Sequence, residues 1–185
     1  MPDRSLNDAR DKMAKAIEVT REEFGAVRTG RASPQVVQRL MVDYYGTSTP
    51  LQQLAGISVP DSRTLAISPY DKNSLGAIER AIQASDLGIT PNNDGAVIRL
   101  AFPQLTEERR KELIKVVRDR AEHGRVAVRN VRRHAKEEIE RQQKAGDVSE
   151  DDMHRAEKDL QKLTDKYVAE IDEMLARKEQ ELMEV

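Results

Sequence analysis

Apolar positions early in the chain, at Leu6, Ala9, Met13, Ile17, Phe24 and Val27, recur in steps of three and four, with Thr20 as a tolerated polar member. That spacing defines one face of a helix and predicts it over Ser5 to Thr29. A second run opens at Thr106, a good N-cap, followed by Glu107 and Glu108 where the helix dipole favours acids. It continues through Leu113, Val117, Ala121, Gly124, Val128, Val131, Ala135 and Ile139, enough for a helix of about 35 residues and over ~50 Å. The run stops at Ala145-Gly146-Asp147, where Gly146 suits a left-handed C′ position. Ser149 then starts a third helix, with Asp152 three residues on as a shortened capping box. Its apolar stripe is Met153, Ala156, Leu160, Leu163, Tyr167, Ile171, Met174 and Leu182, near a 3.5-residue period. The short turn makes the second and third helices antiparallel, and three such stripes bury one another in a three-helix bundle.

Between the first and second helices the pattern changes. Over residues 31–104 Gly and Pro become frequent, and β-rich runs are predicted at Leu40 to Tyr45, Ile57 to Val59, Thr64 to Ser68 and Ala96 to Ala101. Pro60-Asp61-Ser62-Arg63 reads as a tight turn between the middle two. Leu75, Ile78 and Ile82 place a short helix after Asp71, ended near Gly88, and Pro91-Asn92-Asn93-Asp94-Gly95 reads as the turn into the last strand. The predicted class is therefore α+β: a bundle domain of residues 1–30 and 105–185 with a small α/β domain, 31–104, inserted into it. Two segments, Thr29 to Pro34 and Ala101 to Leu105, must cross between the domains. With their Gly and Pro they fit a hinge and fit equally well ordinary turns beside a rigid interface.

Composition adds a location and removes several chemistries. The 185 residues contain no Cys, which excludes disulfides, thiolate metal sites and thiol nucleophiles and fits a reducing compartment. The first residues lack a basic and an apolar leader region, and no apolar run approaches the ~20 residues that cross a bilayer. A cytoplasmic location and no membrane partner are expected. With no Trp and two Phe, stacking of single-stranded bases on rings has little to work with.

The net charge of −2 conceals an asymmetry. Arg109 to Lys136 holds 11 basic and 3 acidic residues, whereas Glu137 to Val185 holds 8 basic and 16 acidic. Such polarity often marks contact with nucleic acid on one face. At 100° per residue, Arg118, Arg125, Arg129 and Arg132 fall within about 60° of one another, along a line ~21 Å long. Arg133 and Lys136 widen the stripe. Guanidinium groups at that spacing suit a row of phosphates, held by charge-assisted and often bidentate hydrogen bonds. The alternative is that these arginines pair with acids. Only Glu112, Asp119 and Glu122 lie within the stretch, although the acidic third helix could neutralise part of it, so phosphate contact is preferred. Arg28 and Arg31 flank the end of the first helix, and Arg109 and Arg110 open the second. They extend the basic footprint to the domain junction, although the helix dipole alone would account for Arg28.

Catalysis finds no support. His123 and His134 share a helix face but stand ~16 Å apart along its axis, too far to bind one metal. His154 sits at another level of the hairpin. Neither a Gly-rich phosphate loop, a Gly-x-Ser-x-Gly elbow nor a His-Glu-x-x-His pair occurs. No enzyme activity, cofactor or metal is expected.

Five motifs then carry a resemblance. Arg28-Thr29-Gly30-Arg31-Ala32-Ser33-Pro34, Tyr44-Tyr45-Gly46-Thr47, Ala84-Ser85-Asp86-Leu87-Gly88, Leu105-Thr106-Glu107-Glu108-Arg109-Arg110-Lys111 and Val128-Arg129-Asn130-Val131-Arg132-Arg133 make the chain strongly resemble the bacterial ribosome recycling factors. The likeness runs from the first helix to the last. It implies an L-shaped molecule of tRNA-like dimensions, an elongated three-helix bundle with a β/α/β domain on a flexible two-strand hinge. It implies a protein that works with elongation factor G and GTP to split the post-termination ribosome into subunits. The bundle would lie on the large subunit and touch 23S ribosomal RNA.

Carried onto these residues, the resemblance implies RNA contact by Arg132 first, then Arg129 and Arg133, with Arg28, Arg31 and Arg110 at the junction. Arg118 and Arg125 join them as members of the stripe. Gly30, Pro103 and Leu105 match the hinge, and a monomer is expected. Two rival functions are a helical scaffold that pairs with another protein through an apolar face, and a hydrolase using carboxylates of raised pKa, to which no motif points.

Overall fold

The computed structural model describes Pro2–Glu184. Three long helices make one of its two compact units, which runs to Arg28 and resumes at Thr106. These are α1 (Pro2–Gly25), α5 (Glu107–Lys144) and α6 (Glu150–Met183), each packed on both others. Among the described residues no helix is long and apolar enough to cross a membrane.

The apolar stripes form this unit's core. Ala9, Met13, Ile17 and Phe24 of α1, Leu113, Val117, Ala121, Val128 and Ile139 of α5, and Ala156, Leu160, Tyr167, Ile171, Met174 and Leu182 of α6 are buried. The ends of the helices are fixed by local chemistry. Thr106 Oγ1 accepts from the backbone N–H of Arg109, and Ser149 Oγ from that of Asp152. After α5, the N–H of Gly146 (φ 81°) donates to the Gln143 carbonyl and that of Asp147 to the Gln142 carbonyl, the double bond pattern of a left-handed helix stop.

At Gly124 one layer of the core brings all three helices into close contact. A methyl group added to Gly124 of α5 would stand 2.5 Å from Oγ1 of Thr20 on α1 and 3.2 Å from Cδ1 of Ile171 on α6. Thr20 and Thr164 are polar yet almost fully buried, and each spends its hydroxyl on a carbonyl four residues back, Ala16 and Leu160. Burial therefore leaves neither hydroxyl unmet. The first helix ends earlier than its apolar period suggested, at Gly25 rather than Thr29. Val27 donates instead to the Phe24 carbonyl in a tighter turn, which still brings its side chain into the core.

The second unit spans Thr29–Leu105. It contains the short helices α2 (Gln35–Gln38) and α3 (Leu51–Leu54), the strands β1 (Met41–Tyr44), β2 (Thr47–Pro50), β3 (Ala55–Asp61), β4 (Thr64–Pro69), β5 (Asn92–Asn93) and β6 (Ile98–Ala101), and α4 (Leu75–Ala84). β1 and β2 form a two-stranded sheet, and the others an antiparallel sheet in the order β3-β4-β6-β5. Leu65, Ile67, Ile98 and Leu100 of the sheet pack with Leu75, Ile78 and Ile82 of α4 into this unit's own core.

Three features of this unit differ from the sequence reading. Thr47–Pro50 is a strand because it pairs with β1, from Tyr44 opposite Thr47 to Met41 opposite Pro50. Pro60 lies inside β3, not in the turn; β3 is an edge strand, and its register shifts between Ser58 and Asp61, where a residue without an N–H is tolerated. Asn92 and Asn93 are a short edge strand, and Asp94 makes the turn by accepting from the N–H groups of Ala96 and Val97. With the Arg99 guanidinium also bonded to it, Asp94 is held well below the ordinary carboxylate range, at about 2.

Both ends of the unit are tied to the β3–β4 turn. Ala32 N–H donates to the Ser62 carbonyl and Phe102 N–H to the Arg63 carbonyl. Gly30 has φ 77°, and a Cβ there would meet Leu105 Cγ at 3.2 Å, so both backbone and space call for glycine.

Candidate nucleic-acid interface

The arginine stripe of α5 runs along its seam with α6. Arg118 Nε donates to Glu179, Arg125 Nη2 reaches Asp172 at 2.6 Å, Arg132 Nη1 donates to Gln161 Oε1 at 2.6 Å, and Lys136 lies 3.5 Å from Glu157. As residue numbers climb on α5 they fall on α6, as antiparallel helices require. One side of the stripe is thus fixed by the neighbouring helix and the other faces solvent.

The members of the stripe are not equivalent. Arg125 is only 19% exposed and is shared between Asp172 and Glu122. Burial works against its charge, but the hydrogen bonds to Asp172 and Glu122 outweigh burial and hold the guanidinium above the usual arginine range. Taking this group to another anion would break two ion pairs at the helix seam, which makes it the least available member of the stripe. Arg118 is paired with Glu179 at 62% exposure, and Arg129 reaches Glu122 at 3.4 Å and 53% exposure. Glu179's hydrogen bond raises the pKa of Arg118. Exposed pairs of this kind are worth about 0–1 kcal/mol and exchange cheaply for a phosphate.

Among the described residues, Arg132 and Arg133 meet no carboxylate. The partner of Arg132 is the neutral amide of Gln161, which in turn donates from Nε2 to Asp165 Oδ1 at 2.8 Å. Arg132 Nε is covered and has no hydrogen-bond partner. Arg133 is exposed and has no ion-pair partner among the described residues. A shallow groove of about 170 Å³, lined by Arg132, Lys136, Glu157, Leu160 and Gln161, opens beside them.

The remaining basic candidates lie elsewhere. Arg110 is half-buried in the first turn of α5, Arg28 is exposed after α1, and Arg31 is exposed at the start of the second unit. The acids of α6 were visible in the sequence, but their register against the stripe was not. Gln161 carried no sequence signal, because an exposed glutamine in a charged helix is indistinguishable from its neighbours until the helices are docked. Among the described residues no group of three or more His, Cys, Asp or Glu is placed to hold a metal ion. His134 and His154 stand beside Glu137 and Glu150 as exposed side chains.

Comparison with known proteins bears on this helical unit and the inserted one together. The family model described as ribosome recycling factor matches residues 20–183. The chain is 58% identical to the ribosome-recycling factor of Acidothermus cellulolyticus, 55% to that of Thermobifida fusca and 54% to that of Mycobacterium marinum, covering all of both chains in each case. A solution structure of a ribosome recycling factor matches at TM-score 0.82 and 43% identity, over 100% of this chain and 98% of that one. A second solved neighbour, also 43% identical with full coverage of both chains and TM-score 0.68, describes the T. thermophilus ribosome recycling factor and the E. coli elongation factor G bound to the E. coli post-termination complex.

Proposed function

The chain belongs to the ribosome recycling factor family, and from that premise we propose that it binds the ribosome after termination, releases it from mRNA and, with elongation factor G and GTP, splits it into subunits. The observation that carries this reading is the full-length identity to factors of that name, together with a structural neighbour placed with elongation factor G on a post-termination complex. The chain is a translation factor. It contributes geometry and grip, with GTP hydrolysis left to its partner, and it works in the cytoplasm.

The bundle unit grips the large subunit through α5. Arg132, Arg133, Arg129 and Arg118 supply the cations that reach 23S RNA phosphates, and Arg28, Arg31 and Arg110 extend the contact. Arg125 belongs to the same row but gives most of its charge to Asp172 and Glu122. Phosphate contacts of this kind fix position without reading sequence, which suits a factor that must find one place on a folded RNA. Residues 1–30 with 105–185 and residues 31–104 act as two separately moving domains. Gly30, Pro103 and Leu105 form the hinge, and the positive φ of Gly30 supports its part.

Light scattering of post-termination ribosomes mixed with this protein, elongation factor G and GTP tests the reading. Scattering should fall only when every component is present, and Arg132→Ala should slow the fall while leaving the melting temperature within a few degrees. Splitting by the Arg132→Ala variant at the full rate, at limiting protein, would remove Arg132 from the interface. Failure of the unaltered protein to cosediment with large subunits would remove the ribosome reading itself.

A further inference from the structure

Building on that reading, we infer that Gln161 is a positioning residue for RNA binding: it holds the Arg132 guanidinium in place on the α5–α6 seam without neutralising it. The arginines earlier on the seam are tethered by carboxylates, Arg118 by Glu179 and Arg125 by Asp172. At Arg132 the same geometric role falls to an amide, 2.6 Å from Nη1. A carboxylate tether spends the charge that a phosphate would use; an amide tether orders the long side chain and leaves the charge whole.

The orientation of the amide is settled by its two neighbours. Arg132 offers only donors, so Gln161 must present Oε1 to it, and Asp165 offers only acceptors, so Gln161 must present Nε2 there at 2.8 Å. Asp165 therefore fixes the amide from one turn further along α6. The acid that lines the groove, Glu157, is engaged by Lys136 at 3.5 Å and faces His154 at 3.6 Å. With Nε covered and Nη1 engaged by Gln161, the remaining Nη donors of Arg132 are the ones an incoming phosphate would take. Less side-chain entropy is then lost when RNA binds, because the guanidinium is already ordered.

The inference separates charge from position and so has two variants. Gln161 is exposed, so neither substitution disturbs the core. Gln161→Glu keeps an acceptor for Arg132, loses the bond to Asp165 and adds a negative charge beside the guanidinium; Gln161→Ala removes the tether and keeps the charge. Affinity for isolated large ribosomal subunits is measured across a series of KCl concentrations for the unaltered protein, both variants and Arg132→Ala. For Gln161→Glu we expect binding weakened roughly tenfold or more and the slope of log K against log salt reduced by about one, as for Arg132→Ala. For Gln161→Ala we expect a smaller loss of a few-fold with the slope unchanged. Melting temperatures should be alike for all four proteins.

If Arg132→Ala weakens binding and lowers the slope while Gln161→Ala binds as the unaltered protein does, or Gln161→Glu matches it in both affinity and slope, Gln161 has no positioning role and the inference is overturned. If Arg132→Ala itself binds as the unaltered protein does, the reading of Arg132 as an RNA contact fails, and the inference falls with it.

Discussion

Gly124 sets how closely α1 can approach α5, and replacing it by alanine tests the packing of the bundle at this layer. The new Cβ would stand 2.5 Å from Thr20 Oγ1 and 3.2 Å from Ile171 Cδ1, with Thr20 Cγ2 at 3.4 Å. Thr20 cannot turn away freely, because its hydroxyl donates to the Ala16 carbonyl at 2.9 Å, and losing that bond in a buried site costs about 1 kcal/mol. Overpacking typically costs another ~1–3 kcal/mol. Against this, alanine gains about 1 kcal/mol of helix propensity over glycine. The balance is a loss of about 1–3 kcal/mol, which lowers the melting temperature of the bundle by roughly 4–13 °C. Thermal unfolding followed by helical circular dichroism measures it. Thr20→Ala removes the atoms that collide, so the double variant should recover about 1–2 kcal/mol relative to the sum of the single changes. A Gly124→Ala protein as stable as the original, or a strictly additive double variant, would refute this account of the glycine.

The other predictions concern charges and caps. Arg125→Ala should destabilise the bundle by about 1–2 kcal/mol by removing a half-buried side chain and its hydrogen bonds to Asp172 and Glu122, whereas Arg133→Ala, which breaks no ion pair among the described residues, should stay within about 0.5 kcal/mol; denaturant melts of the two variants decide this. Ser149→Ala removes the N-cap of α6 and should cost about 1 kcal/mol, read in the same melts. Asp94, with its pKa lowered to about 2 from 3.8, stabilises its turn fully above the ordinary carboxylate range and loses that contribution as pH falls through about 2. An NMR titration of its side-chain carboxyl should show that midpoint, and a midpoint near 4 would mean that the bonds from Ala96, Val97 and Arg99 do not persist in solution.

Much of the bundle was legible because its determinants are local. Thr106, Ser149 and Gly146 mark helix ends by interactions with residues a few positions away, and the 3.6-residue period of Leu113, Val117, Ala121, Gly124 and Val128 names the buried face without reference to a partner. The inserted unit was less legible. Thr47–Pro50 has no apolar alternation and Asn92–Asn93 little intrinsic strand preference, and both are strands because β1 and β6 lie alongside. The helices α2 and α3 are single turns of four residues, too short to show a period.

The candidate site divides in the same way. Sequence by itself determined that Arg118, Arg125, Arg129 and Arg132 share one side of a long helix, since a helical azimuth depends only on residue number. Tertiary structure alone decided what each of them meets. A neighbour on α6 is chosen by the register of two docked helices, and that register sets Glu179 against Arg118, Asp172 against Arg125 and an uncharged amide, Gln161, against Arg132. The charge available to a phosphate is fixed by that pairing, because a guanidinium keeps or spends its field according to the group within about 3 Å of it.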